Sequence, residues 1–266
     1  MYSNPAGYES YMGRWSAELA PHFLRFACRE EPETMVDVGC GTGTLIRAAS
    51  VRFARARLVG LDPSLPYLLH AKTKTDGSRA EFLAGRSEAL PFADGTFDHC
   101  LSLLVLQEIE DRPHAIGEMS RVTCRNGIVA GCQWDFGEGM PVIDAVRDAI
   151  KAIAPALYES TGRGTGRAFT SLDELDQYWA SVGLEDVETT CLAVTLSYAN
   201  FSEFWLPLLG GSTPLTAVVA SLPSNARKAV RERLKLAISN GSLDSSFSLT
   251  AHAFAIRGRV VTRRAA

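Results

Sequence analysis

The sequence predicts a doubly wound α/β fold, a parallel sheet with helices on both faces, and three observations carry that expectation. Five short β-like runs alternate with helical stretches over the first 135 of 266 residues. The runs are continuously apolar, as strands buried on both faces are. A glycine-rich turn, Gly39-Cys40-Gly41-Thr42-Gly43, joins the first run to a helix, and open α/β sheets bind ligands at such strand ends.

Taken in order, Ser16 to Cys28 has the period of an amphipathic helix. Thr34-Met35-Val36-Asp37-Val38 is the first strand, and Thr44 to Phe53 is the helix after the glycine turn. Leu58-Val59-Gly60-Leu61 is the second strand and ends at Asp62-Pro63. The helix from Ser64 to Lys74 tolerates Pro66 because it lies in the first turn, where no backbone donor is needed. Glu81 to Ala84 is a third strand, Leu90 to Gly95 carries Pro and Asp-Gly turn signals, and Phe97 to Ser102 is a fourth strand. Arg112 to Arg121 is helical, and Gly127 to Trp134 is the fifth strand.

Beyond it come a helix at Pro141 to Ala154, a glycine-rich loop at Thr161 to Arg167 and a helix at Ser171 to Val182. Leu184 to Tyr198 and Phe247 to Val261 are β-like and flank a helical segment. The expected organisation is an N-terminal helical flap over residues 1–30, a ligand-binding core over 31–140, and a second half of the same domain over 141–266. A cap insertion at about 200–243 would separate the last two strands, which run antiparallel to each other.

Composition narrows the function. Lys and Arg number 27 against 30 Asp and Glu, a net charge of −3, so the chain lacks the basic excess of a nucleic-acid or membrane-surface binder. The longest dense apolar run, Leu101 to Leu106, falls far short of the roughly 20 residues that span a bilayer. The start, MYSNPAGYESYMGRW, has no secretory pattern, so a cytoplasmic protein is expected. Cys28, Cys40, Cys100, Cys124, Cys132 and Cys191 form no C-x-x-C pair and read as buried free thiols. The five histidines are scattered without ligand spacing, so no metal site is expected.

The spacing of the glycine turn points to a ligand class. A dinucleotide fingerprint needs glycine at its sixth position, where this chain has Thr44. The pattern is instead G-x-G-x-G preceded by the strand acid Asp37. The stretch VDVGCGTG closely resembles motif I of the class I S-adenosylmethionine-dependent methyltransferases. Asp62, 19 residues after Gly43, matches the family's acid for the cofactor's two ribose hydroxyls, suitable chemistry for a carboxylate. Gly85 to Phe92 followed by Asp94-Gly95-Thr96-Phe97-Asp98 resembles the family stretch G-D-A-x-x-L-P-F-x-D-x-x-F-D, with Arg86 where the family has an adenine-contacting Asp. Leu103 to Asp111 and Glu118 to Arg121 resemble the loop after the fourth strand and the E-x-x-R-V helix. Trp134-Asp135-Phe136 and the Trp205 to Gly210 region are similar to a ubiquinone-biosynthesis-like branch of small-molecule methyltransferases.

The resemblance implies a Rossmann-like mixed seven-stranded sheet with a helical cap insertion. It also implies S-adenosyl-L-methionine as cofactor, S-adenosyl-L-homocysteine as product, and an in-line methyl transfer to a small-molecule O, N, S or C acceptor. The cofactor-binding residues it implies are Arg14, Asp37, Gly39, Cys40, Gly41, Gly43, Asp62, Pro63, Arg86, Ser87 and Leu103. No partner beyond the acceptor is implied, and the chain would act as a monomer or homodimer. A non-enzymatic cofactor-binding module, for sensing or assembly, is the reading from another class.

Several residues admit two readings at this point. Asp62 either caps the following helix or holds a ligand, or does both. Asp37 is structural or faces the cofactor. Tyr8, Tyr11, Arg14 and Trp15, ahead of the first helix, either pack on the domain or form a flap in which Arg14 pairs with the cofactor carboxylate. The Phe201, Phe204 and Trp205 group forms the core of the insertion or lines an apolar pocket. Gly162 to Arg167 lacks the P-loop Lys-Ser/Thr pair and reads as a mobile lid, and the basic helix Ala226 to Ile238 reads as a solvated face. Gln107 and Trp134 fall at carboxyl ends of strands and are substrate-side candidates.

Overall fold

A computed structural model describes residues 4–75, 79–160, 169–239 and 241–261. The Gly162 to Arg167 loop lies outside the described residues. Seven strands form one sheet in the order β3-β2-β1-β4-β5-β7-β6. They are β1 (Thr34–Val38), β2 (Arg57–Asp62), β3 (Ala80–Ala84), β4 (Phe97–Leu103), β5 (Thr123–Trp134), β6 (Glu185–Tyr198) and β7 (Phe247–Arg259). The pairings among β1 to β5 are parallel, and β7 runs antiparallel to both β5 and β6. The mixed seven-stranded sheet expected from the resemblance is therefore present. The strand order reverses between β1 and β4, which opens a crevice at their carboxyl ends.

The periodicity of the strands explains the layers. Met35, Leu58 and Leu101 face one side and pack with Trp15, Phe23 and Ile46, while Val36, Val59 and Cys100 face the other with Met119 and Trp179. The first side is covered by α2 (Arg14–Ala27), α3 (Thr44–Arg52), α4 (Leu65–Lys74) and α6 (Pro141–Ile153), the second by α5 (Arg112–Val122) and α8 (Leu172–Ser181). The short α7 (Pro155–Ser160) follows α6. Side chains start several helices by satisfying free amides: the amide of His114 donates to Asp111 at 3.1 Å, and that of Glu174 to Ser171 Oγ at 3.1 Å.

Two boundaries differ from the sequence reading. The N-terminal helix starts not at Ser16 but at α1 (Pro5–Tyr8), and continues through a π-helical turn, Glu9–Gly13, into α2. Tyr8, Tyr11, Arg14 and Trp15 thus lie within helical structure and not ahead of it. β5 starts at Thr123, four residues early, because Asn126 adopts φ +65° and carries the chain through an irregularity opposite Phe97 and His99.

Between β6 and β7 lie α9 (Phe201–Leu208), α10 (Pro214–Ser221) and α11 (Ser224–Ser239). Phe201, Phe204 and Trp205 are buried there, and Phe204 meets the ring of Tyr198 edge-on at 5.6 Å. Among the described residues, no helix is long and apolar enough to cross a membrane, and no cluster of residues could hold a metal ion.

Candidate active site

The first strand ends in a turn that only glycine can make. Gly39, Gly41 and Gly43 have φ of +78°, +53° and +80°, the left-handed region that costs other residues a steric clash. A Cβ on Gly39 would sit 2.5 Å from Val105 Cγ1, so the loop after β4 packs directly against bare backbone. The amides of Gly39 and Cys40 both donate to the carbonyl of Leu61, at 2.7 and 3.0 Å, which ties the turn to the end of β2.

Asp62 completes that tie. Its Oδ2 accepts from the Gly41 amide at 2.9 Å and its Oδ1 from the Ser64 amide at 2.8 Å. The carboxylate therefore braces the glycine turn and the start of α4 together, and it also faces the cavity. Burial raises its pKa above the usual carboxylate range, and the two amides partly oppose that rise.

Asp37 is the more unusual acid. It is 1% exposed, yet its Oδ1 has no hydrogen-bond partner within the protein. Burial, reinforced by the nearby Asp62, holds its carboxyl well above the ordinary range. A buried acceptor without a donor is costly, so a donor supplied from outside the chain is the natural complement.

These groups open on a cavity of about 570 Å³, within the roughly 300–1,000 Å³ of small-molecule sites. Asp37, Gly39, Cys40 and Gly41 line it from the first strand and turn, Asp62 and Pro63 from the end of β2. Arg86 and Ser87, from the loop after β3, and Leu103, at the end of β4, complete the set that sequence reasoning places there. Gly43 does not line the cavity; it is the residue just before α3, where an added Cβ would lie 2.9 Å from the Ala71 Cβ.

Arg14 is displaced from its expected position. Its guanidinium pairs with Glu203 of α9 at 2.9 Å and lies 4.9 Å from the centre of the Tyr198 ring, because tertiary packing offers it a carboxylate and an aromatic face away from the cavity. Arg86 is 74% exposed and pairs with Glu88 at 3.3 Å. The substrate-side candidates also turn elsewhere. Gln107 donates to the Leu104 carbonyl at 2.8 Å, supporting a residue held at φ +63°, and Trp134 packs edge-on against Trp15 in the core.

Tyr8, one of the flap candidates, lines the cavity, whereas sequence reasoning does not place Ser16, Tyr67 and Glu88 there, nor Glu108 to Glu110. Tyr67 alone carries a readable sign, since it lies one turn into the helix that follows Asp62. Arg121 stabilises the loop behind the site: it donates to the carbonyls of Leu90 and Phe92 at 3.0 and 2.7 Å and pairs with Glu118 and Asp94 at 2.6 and 2.9 Å.

A glycine turn braced by one acid, a second acid with a free acceptor, and a crevice at the sheet's switch point together suit a ligand that brings both hydroxyl and ammonium donors. S-adenosylmethionine has both. The comparisons with known proteins find methyltransferases. Residues 36–131 match the family described as a methyltransferase domain. The chain is 31% identical over 186 residues to a 2-phytyl-1,4-naphtoquinone methyltransferase of Thermosynechococcus vestitus, a match covering 69% of this chain and 79% of that protein. It is 26% identical over 152 residues to a malonyl-[acyl-carrier protein] O-methyltransferase of Serratia marcescens, covering 55% of this chain and 58% of that protein. The chain spans about half the length of several such relatives, from 36% to 58%. In fold it is similar to a Haemonchus contortus phosphoethanolamine-type N-methyltransferase solved with phosphomonomethylethanolamine and S-adenosylhomocysteine, with a TM-score of 0.58, 18% identity, and coverage of 99% of this chain and 58% of that one. The chain belongs to the class I S-adenosylmethionine-dependent methyltransferases.

Proposed function

We propose that this protein binds S-adenosylmethionine in the cavity at the β1–β4 crevice and transfers its methyl group, by in-line displacement, to a small-molecule O, N, S or C acceptor. The observation that carries the reading is the pair of raised carboxyls beside the left-handed glycine turn, one braced by loop amides and one lacking a donor. Asp62 would hold the ribose hydroxyls, Asp37 would accept from the amino end, and Gly39 to Gly41 would let the backbone approach closely. Pro63, Arg86, Ser87 and Leu103 would enclose the rest of the cofactor, with Ser87 or a backbone carbonyl taking the adenine contact that Arg86 cannot accept.

When bound, the cofactor supplies a sulfonium methyl group that is already electrophilic, so the protein's share of the chemistry is alignment and exclusion of water. The partly buried ring of Tyr8 and the loop after β4 form cavity walls that serve both ends. Burial pushes the Tyr8 hydroxyl above its ordinary pKa, so it stays protonated at neutral pH and does not act there as a base.

In this reading the acceptor is a small organic molecule, neither nucleic acid nor a membrane surface is a partner, and the protein works in the cytoplasm as a monomer or homodimer. The names of its relatives favour carboxyl, quinol-type and amine acceptors as the first to try. The test is release of S-adenosylhomocysteine when purified protein is incubated with the cofactor and a panel of phenols, quinols, amines, thiols and carboxylic acids. Turnover with a panel member, lost in Asp62→Ala, supports the proposal. Tight cofactor binding with no turnover on any member supports a sensing or assembly module instead.

A further inference from the structure

The N-terminal segment Pro5–Gly13 is fastened to the glycine turn by a single arginine. Arg47, on α3, donates through Nη1 to the Thr42 carbonyl at 2.7 Å and through Nη2 to Thr44 Oγ1 at 3.0 Å. The same Nη2 reaches Glu9 Oε1 at 3.3 Å. One guanidinium thus holds the turn that cradles the ligand and the first residue of the π-helical turn. Immediately before Glu9, Tyr8 contributes to the cavity wall, where its ring meets Tyr67 edge-on at 5.9 Å.

The far side of the segment is tied differently. Asn4 Nδ2 donates to the Gly210 carbonyl at 3.3 Å, and Arg14, at the start of α2, pairs with Glu203. The segment therefore bridges the cofactor cradle and the cap insertion. Its π-helical turn is a backbone form that is rare in helices and recurs at functional sites. The Glu9 and Arg47 side chains are each 26% exposed, and a charge-assisted bond between partly exposed side chains is weak enough to open on the time scale of ligand exchange.

We infer that Glu9 and Arg47 form a latch that closes the N-terminal segment over the cofactor cavity, with Arg47 as a positioning residue that links the shape of the glycine turn to that closure. This rests on the cavity binding S-adenosylmethionine and goes beyond it: the latch opens for cofactor entry and product release. Glu9→Gln removes the ion pair and leaves the two bonds from Arg47 to Thr42 and Thr44 in place. Arg47→Gln removes the ion pair and the guanidinium fork that makes the three contacts together.

The experiment combines hydrogen exchange of the amides of residues 5–13 in the ligand-free protein with stopped-flow release of S-adenosylhomocysteine. Glu9→Gln is expected to speed both by about fivefold, the size of a partly exposed ion pair, with a fall in global stability no larger than that factor. Added salt should accelerate release from the unaltered protein and have little effect on Glu9→Gln. Arg47→Gln should speed release and also weaken S-adenosylhomocysteine binding. If release and exchange are the same in Glu9→Gln as in the unaltered protein, or if added salt speeds release equally in both, the latch is overturned while the cofactor reading stands. If the unaltered protein does not bind S-adenosylhomocysteine, both are overturned.

Discussion

Gly39→Ala puts two separable costs on one atom. The residue sits at φ +78°, where an alanine loses roughly 1–2 kcal/mol against glycine. Its new Cβ would also lie 2.5, 2.7 and 2.9 Å from Cγ1, Cγ2 and Cβ of Val105, an overpacking that costs about 1–3 kcal/mol. The expected loss is about 2–5 kcal/mol in urea unfolding, together with weaker S-adenosylmethionine binding, because the clash is relieved by moving either the turn or the loop after β4. Val105→Ala in the same chain removes the two nearest methyl groups. The double variant should recover about 1–2 kcal/mol as a coupling energy and keep the backbone cost. A loss below about 0.5 kcal/mol in Gly39→Ala, or additive effects of the two substitutions, would refute the claim that the bare backbone of Gly39 seats the β4 loop.

Asp37 and Asp62 both have raised pKa values in the folded protein, so the folded state holds more protons than the unfolded chain just above the ordinary value of 3.8, and ligand-free stability falls as pH rises through the folded values. Asp37→Asn should flatten that decline in thermal melts at a series of pH values and weaken cofactor binding; an unchanged profile would contradict the burial argument. Arg121→Ala should cost about 2 kcal/mol in chemical denaturation, since it frees the segment that Leu90 and Phe92 anchor, and Arg121→Lys should recover less than half because lysine cannot reproduce the fork. Arg14→Ala should leave S-adenosylmethionine affinity unchanged in calorimetry, with a stability loss of at most about 1 kcal/mol; a large loss of affinity would return Arg14 to the cofactor site.

The sheet was legible because its signals are local. Continuous apolar runs, Pro66 in a first turn and the alternate glycines each act within a few residues, and the acids Asp37 and Asp62 stand at strand ends that the same runs define. The parts that were not legible depend on distant partners. The amphipathic period begins only at Ser16, yet helical structure starts at Pro5, because Asn4 Oδ1 accepts from the Gly7 amide at 2.9 Å and Tyr11 and Met12 are buried against the domain. The fifth strand reads as starting at Gly127, whereas it starts at Thr123 and passes Asn126 by an irregularity. Arg14 carried the right chemistry for a carboxylate, and the fold supplied Glu203 instead. Ser16 and Glu88 reach the cavity through packing that no sequence period records.

Under the proposed function, the crevice holds S-adenosylmethionine through Asp62 and the glycine turn. Calorimetric titration of the protein and of Asp62→Ala with S-adenosylmethionine, S-adenosylhomocysteine and NAD tests it most directly. Saturable binding of the first two by the unaltered protein, its loss in the folded variant, and no binding of NAD are expected. Absence of heat with both sulfur compounds from a folded, unaltered protein, or equal binding by Asp62→Ala, would contradict it.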